Sequence, residues 1–168
     1  MTAAGFDSQV GYALESPTGT FTAPTRALEH VKSSLKLEVD RIPSKGIKAG
    51  HRHQGRWFTG GQRVKGTVSH EFSPINSGLL LRTLMGAVNT SGAGPYTHVY
   101  TPGALTQTDT LTVQVGTPSI DGTVNSMSFI GNHIVGATFT SKVGEVVMSD
   151  FEFYGQHLDV SQSLTAAS

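Results

Sequence analysis

Residues 34–72, SLKLEVDRIPSKGIKAGHRHQGRWFTGGQRVKGTVSHEF, decide the fold, because two alternating runs flank a long basic segment. Apolar and polar residues alternate in 34–42 and again in 64–72. Successive side chains of a strand point to opposite faces, so the runs predict a hairpin with one apolar and one polar face. The apolar face comprises Leu35, Leu37, Val39, Val64, Val68 and Phe72. The polar face comprises Lys36, Glu38, Asp40, Lys65, Thr67, Ser69 and Glu71.

The segment 43–63 between these runs is predicted to be a loop at the hairpin tip. Its 21 residues include five basic side chains, two histidines, one tryptophan and no acid. Structureless connections longer than about 12–15 residues are uncommon inside domains and tend to be functional. Doubled back on itself, the loop reaches about 35 Å. We interpret it as an arm that docks on a partner, with a plain solvated loop and single-stranded nucleic-acid binding as alternatives. The docking candidates are Lys45, Lys48, Arg52, Arg56, Trp57, Phe58 and Arg63.

The remaining pattern predicts a mainly β protein. We expect a helix capped by Asn76 or Ser77, with a stripe formed by Leu80, Leu81, Leu84, Met85 and Val88. Short strands are expected at 96–101 and 110–115. A second hairpin pairs 126–141, with Met127, Phe129, Val135, Ala137 and Phe139 on one parity and a break near Gly131, with 145–154. This predicts an antiparallel β-sandwich or half-open barrel with one flanking helix.

The predicted organisation is an extended N-terminal arm with the first strands (1–33), the β domain (34–157) and a C-terminal tail or linker (158–168). The chain of 168 residues has zero formal net charge and no cysteine, which excludes disulfides and thiolate chemistry. No signal peptide is visible in the sequence. No apolar stretch approaches the length of about 20 residues that a membrane-spanning helix needs. We therefore expect a soluble protein made in a cytoplasm.

The charges are unevenly distributed along the chain. Residues 1–82 carry eleven bases and six acids, whereas residues 83–168 carry one base and six acids, giving +5 and −5. If the halves form different faces, copies attract one another head to tail. The alternative is that the halves fold together and their charges mingle.

Candidate chemistry is sparse. His51 and His53 are spaced to ligate a metal, but catalytic zinc needs three protein ligands and the nearest acids are more than ten residues away. Asp150 and Glu152 fall on one strand face by alternation alone. No Gly-x-Ser-x-Gly elbow and no phosphate-binding loop occur. We expect no enzymatic activity, metal or cofactor.

Two stretches resemble the major tail tube proteins of bacteriophages with long, non-contractile tails. VGYALESPTGTFTAPTRALE (10–29), followed by SLKLEVDRIPSKGI (34–47), is similar to the opening of that domain. FIGNHIVGATFTSKVGEVVMSDFEFYGQ (129–156) resembles its closing strands. The similarity covers most of residues 5–157 and consists of the order of its motifs, with no catalytic signature.

The resemblance implies a structural virion protein that assembles into (pseudo)hexameric rings, which stack into a hollow tube for DNA passage. It implies that long hairpins from all subunits form an inner β-barrel and that the intervening loop contacts the next ring. The polar face above would then line the channel, and 43–63 would be the stacking arm. The expected partners are other copies of the chain, tape measure and tail tip or terminator proteins, and DNA bound transiently in the lumen, in a virion tail assembled in the host cytoplasm.

Two questions stay open at this point. Many relatives carry a second domain, so the sequence does not decide between six copies and three two-domain copies per ring. The alternatives to a phage tube are a ring protein of type VI secretion and a carbohydrate- or cell-wall-binding β-sandwich. The second alternative requires exposed aromatic side chains on which a sugar can stack, and the chain has only one Trp and four Tyr.

Overall fold

The computed structural model describes residues 8–46, 50, 56–104, 109–119, 121 and 123–165. Eleven strands and one helix lie within these ranges. The elements are β1 (Gln9–Leu14), β2 (Arg26–Leu28), β3 (His30–Ser33), β4 (Lys36–Pro43), β5 (Trp57–Glu71), α1 (Pro74–Met85), β6 (Gly86–Ser91), β7 (Thr97–Pro102), β8 (Leu111–Pro118), β9 (Val124–Thr140), β10 (Met148–Gly155) and β11 (His157–Asp159).

Nine strands form one curled antiparallel sheet in the order β2-β1-β8-β9-β10-β5-β3, with β11 on β9 and β4 on β5. Strands β6 and β7 form a separate hairpin. Because the 17-residue β9 pairs with β8 along its first part and with β10 along its second, it joins two layers whose inner faces enclose the core. The core comprises Val10, Tyr12, Leu28, Val64, Val68, Leu80, Leu111, Val113, Val115, Phe129, Ile134, Phe151 and Phe153. The predicted fold class, a mainly β half-barrel with a flanking helix, is confirmed.

The first predicted hairpin exists, but its loop is shorter than predicted. Strand β5 begins at Trp57, so residues 57–63 belong to the hairpin, where Pro43 faces Trp57 and Ile42 faces Phe58. The prediction was wrong because Gly60 and Gly61 are typical of loops. Here the strand passes close to Asp40, and a Cβ on Gly60 would lie 3.1 Å from the Asp40 carbonyl oxygen. A register shift between Val39 and Arg41 accommodates the extra residue.

The predicted pairing of 34–42 with 64–72 is shifted along the second strand. Strand β4 pairs with 57–65, and β3 pairs with 68–70. The chain passes from β3 to β4 directly over Gly66, where a Cβ would lie 2.5 Å from the Ser34 carbonyl oxygen. Val64 and Val68 are fully buried as predicted, Leu35 and Leu37 pack against the core, and Val39 is exposed.

The helix begins and ends earlier than predicted. Its N-cap is Ser73 and its first residue is Pro74. Proline suits this position, because the backbone nitrogen of the first helical residue makes no hydrogen bond within the helix and proline has no N–H to donate. Asn76 and Ser77 therefore lie inside the helix. Gly86 ends it in the left-handed conformation, with its N–H donating to the Arg82 carbonyl, so Val88 belongs to β6. Leu80, Leu81 and Leu84 contact the core as predicted.

In β9 the predicted parity fails at Val135, which is exposed, while its neighbour Ile134 is buried. The pairing with β10 shifts between Glu152 and Phe153, so the bulge at this point reverses which residues face inward. The predicted break at Gly131 is present as a residue with φ of 72°.

The predicted arm and tail both pack against the sheet within the described residues. Strand β1 lies between β2 and β8, with Val10 and Tyr12 fully buried. After β11, the Thr165 N–H donates to the Gln114 side-chain oxygen at 2.8 Å, and the Gln9 amide donates to the Thr165 carbonyl at 2.7 Å. The described parts of these segments, 8–33 and 158–165, are therefore integral to the β domain.

One buried carboxylate joins three parts of the fold. Glu15, only 2% exposed, follows β1 and accepts four hydrogen bonds. Its Oε2 accepts from the Gly19 N–H and the Thr110 hydroxyl, both at 2.7 Å. Its Oε1 accepts from the Thr112 hydroxyl at 3.0 Å and the Gly131 N–H at 2.7 Å. Glu15 therefore holds the N-terminal turn, β8 and the bend of β9 together.

Candidate assembly surfaces

The polar face of the hairpin is continuous with the polar face of β10 and β9. Across β5 and β10, Ser69 faces Asp150 and Thr67 faces Glu152. Across β10 and β9, Asp150 faces Thr138 and Glu152 faces Gly136. These strands line one shallow concave depression, whose walls are Lys32, Ser34, Thr67, Ser69, Gly136, Ala137, Thr138, Asp150 and Glu152. We call the outward polar side of β3, β4, β5, β10 and the end of β9 the polar face.

The predicted polar residues lie together on this face. Lys36, Asp40, Lys65 and Glu71 are exposed, and Glu38, Thr67 and Ser69 are half-buried. The structure adds residues that the sequence reasoning did not assign to the site: Lys32, Ser34, Thr138, Asp150 and Glu152. The alternation of β10 placed Asp150 and Glu152 on one side, but nothing in the sequence indicated that β10 pairs with β5.

Ion pairs organise the edge of the polar face. The Glu38 carboxylate lies 3.1 Å from the Lys36 ammonium and 3.3 Å from the Arg63 guanidinium, which also reaches Asp40 at 3.4 Å. Hydrogen bonds from Lys36 and then Arg63 lower the pKa of Glu38 below its usual value. Arg63 was predicted as a loop residue; its place opposite Glu38 in the β4–β5 ladder assigns it to the polar face.

The polar face carries charges of both signs, and they do not form a stripe of a single sign. Its bases are Lys32, Lys36, Arg63 and Lys65, and its acids are Glu38, Asp40, Glu71, Asp150 and Glu152. Because the basic β5 pairs with the acidic β10, the two oppositely charged halves of the sequence mingle in one sheet. This is the second of the two arrangements that the charge asymmetry allowed.

The β4–β5 hairpin extends past the rest of the sheet. Pairing between β5 and β10 starts at Val64, so among the described strands residues 57–63 pair only with β4. At the tip, Ile42, Trp57 and Phe58 are 54%, 61% and 57% exposed. Lys45 and Arg56 are also exposed, whereas Lys48 and Arg52 lie outside the described residues. The tip therefore exposes apolar side chains on both faces of the hairpin, Ile42 and Phe58 on one and Trp57 on the other, with basic residues beside them.

Two edges of this part of the sheet are open. On one side, β3 and β4 pair only with β5 among the described strands. On the other, the segment 133–140 of β9 pairs with β10, and its second edge has no partner among the strands that the structure describes. Unpaired edges of this kind accept further strands.

No group of three or more His, Cys, Asp or Glu residues arranged to hold a metal ion occurs in the described part of the chain. His51 and His53 lie outside it. No helix among the described residues has both the length and the apolar character required to cross a membrane.

Comparison with known proteins finds one matching family model and several similar solved structures. A family model described as phage tail tube protein matches residues 5–168. A search of curated protein sequences finds no match. Among solved structures, the SPP1 tail tube aligns with a TM-score of 0.58 at 10% identity, over 97% of this chain and 81% of that one.

Two further solved structures show the same fold. The cap of the anti-feeding prophage aligns with a TM-score of 0.57 at 13% identity, covering 97% of this chain and 93% of its own. The sheath-tube complex of an extracellular contractile injection system, PVC, in its extended state aligns with a TM-score of 0.56 at 11% identity, covering 94% and 89%. At these identities the likeness concerns the fold.

Proposed function

This chain belongs to the phage tail tube protein family, which confirms the resemblance noted in its sequence, and we propose that its copies close into (pseudo)hexameric rings that stack into the hollow tail tube. The family is one of structural tail components, and the chain is a structural protein of the virion tail. The observation that carries the ring proposal is a sheet with a polar face and two open edges. Joining the β9 edge of one copy to the β3–β4 edge of the next removes both edges.

In a closed ring the polar face would line the channel. The lumen residues are Lys36, Glu38, Asp40, Lys65, Thr67, Ser69 and Glu71, joined by Lys32, Arg63, Asp150 and Glu152. A duplex that must slide should meet a wall that does not hold its phosphates, and binding to phosphates grows with the number of cationic contacts. The mixed charges of the polar face suit transient passage of DNA.

Stacking of the rings would use the hairpin tip. Trp57 and Phe58 supply apolar anchors of the kind that dominate interfaces, and the basic residues Lys45, Lys48, Arg52 and Arg56 orient the approach. The proposed partners of the tube are tape measure and tail tip or terminator proteins, and its proposed place of assembly is the host cytoplasm.

Sedimentation of the purified protein at increasing concentration, followed by electron microscopy of the pellet, tests the proposal. We expect a shift from monomers to large particles that appear as rings and hollow tubes. A protein that stays strictly monomeric at high concentration, with no tubes in the pellet, would support a binding module instead.

The charge of the channel wall gives a sharper prediction. Glu152→Lys places an extra cation in every copy on the polar face, so tubes assembled with short duplex DNA should retain it in a salt-dependent manner. Asp121→Lys makes the same charge change in an exposed loop away from that face. Tubes of the unsubstituted protein and of Asp121→Lys should release the DNA, as measured by co-sedimentation. Equal retention of DNA by the two variants would contradict the assignment of the polar face to the channel wall.

A further inference from the structure

The sheet that carries the polar face has two ends with contrasting features. The tip of the β4–β5 hairpin forms one end. The 15-residue β5 runs from there to Glu71, where it pairs with Met148 just after the β9–β10 turn. At about 3.3 Å per residue the two ends are about 45 Å apart, so no copy can join its own tip to its own turn.

The turn end also carries exposed apolar side chains. Val143 is fully exposed, Val146 is more than half exposed, and Val147 and Phe139 are partly exposed. Phe72 holds the turn against the sheet. Its N–H donates to the Val147 carbonyl at 2.8 Å, and its ring packs edge-on against the Phe139 ring, with 5.5 Å between the ring centroids. We call Phe139, Val143, Val146 and Val147 the valine patch. It is a supported surface with apolar side chains facing solvent.

The charges beside the two ends have opposite signs. At the tip, Arg41, Lys45 and Arg56 are exposed, while Asp40 is paired with Arg63. At the turn end, Glu29, Glu71 and Glu145 are exposed, and Lys142 is paired with Glu145. The described residues thus give the tip a positive and the turn end a negative balance, and such complementarity orients association.

We infer that the valine patch is the docking site for the hairpin tip of a second copy of this chain, with Ile42 and Phe58 on one face of the tip, and Trp57 at its edge, packing against Val143, Val146 and Val147. This inference rests on the proposed tube function and supplies the receiving surface for the stacking contact. The contact is heterologous, one end against the other, so it repeats without limit and extends a column of copies.

The absence of cysteine from the chain allows a direct test by cross-linking. Thr59→Cys introduces a thiol beside the tip anchors, and Val143→Cys introduces one in the valine patch. A short bismaleimide reagent added to tubes of the double variant should give a ladder of dimers, trimers and longer species on a denaturing gel. Each single variant should give no species beyond a dimer, because its copies carry only one thiol.

The outcomes separate this inference from the function on which it rests. Tubes visible by microscopy without a ladder would overturn the docking site and leave the tube function standing. Unsubstituted protein that forms neither rings nor tubes would overturn both.

A second pair of variants measures the strength of the contact. Val143→Asp with Val146→Asp should raise the concentration needed for tube formation at least about tenfold, since about 1.4 kcal/mol of contact energy corresponds to a factor of ten. Val160→Asp alters another exposed valine, 68% exposed, in the C-terminal segment and should leave that concentration unchanged. Unchanged thermal unfolding would verify the fold of each variant. Unchanged tube formation by the double variant would contradict the inference.

Discussion

Replacing residues 44–56 with a two-residue Asn-Gly turn will leave a folded domain that no longer forms long tubes. The strand pairing ends at Pro43 and Trp57, so a two-residue turn of this type closes the hairpin with the strand twist preserved. The core lies on the far side of Val64 and loses no contact. Circular dichroism should show an unchanged thermal transition, while microscopy should show isolated rings or monomers, because the basic residues that guide stacking are gone.

A matched variant separates the length of the loop from its chemistry. Substituting residues 44–56 with a Gly-Ser linker of equal length keeps the reach and removes Lys45, Lys48, Arg52 and Arg56. We expect this variant to form tubes poorly, with a loss close to that of the short turn. Tubes of normal length and number from either variant would show that the loop does not contribute to stacking.

The largest effect on stability is expected from Glu15→Ala. This change leaves two backbone N–H groups and two hydroxyls without their acceptor in the core, and each unsatisfied buried group costs about 1–3 kcal/mol. Some of the groups will recover water, so we expect a loss of about 4 kcal/mol in the free energy of unfolding, out of about 5–15 kcal/mol for a typical domain. Denaturant unfolding of the two proteins measures the difference.

Two controls identify the cause of that loss. Glu15→Gln keeps the size of the side chain but turns one oxygen into an NH2 group that must face a backbone N–H, so it should still destabilise by about 1–3 kcal/mol. Glu29→Ala removes an exposed carboxylate and should change stability by less than about 0.5 kcal/mol. If Glu15→Gln were as stable as the unsubstituted protein, the hydrogen-bonded carboxylate would not be what holds these segments together.

Alternation predicted the strands well wherever one face packs on the core and the other faces solvent. In β10, Phe151 and Phe153 are buried and Glu152 and Tyr154 are exposed, as the period of two requires. The same rule failed at Val135, because a bulge inserts a residue and changes the facing of those that follow it. A second bulge lies opposite Asp40, in the segment whose glycines Gly60 and Gly61 led to the prediction of a loop instead of a strand. Bulges depend on pairing between distant segments, which a local pattern does not contain.

Only part of the polar face could be predicted, because the rest of it depends on pairing between distant segments. Lys36, Glu38 and the other hairpin residues followed from one alternating stretch, whereas Asp150 and Glu152 joined them only through the pairing of β10 with β5. Glu15 shows a further limit. It stands in the GYALESPTGT stretch that carries the family resemblance, but its partners Thr110, Thr112 and Gly131 lie about 100 residues away. Only the folded chain brings them together.

The central claim is that the polar face becomes the wall of a channel when copies close into a ring. A helical reconstruction by cryo-electron microscopy of tubes assembled from the purified protein tests this most directly. It should show Thr67, Ser69, Asp150 and Glu152 facing the bore, with the β9 edge of each copy paired to the β3–β4 edge of its neighbour. Tubes in which that face points outward, or rings joined through other surfaces, would contradict the account.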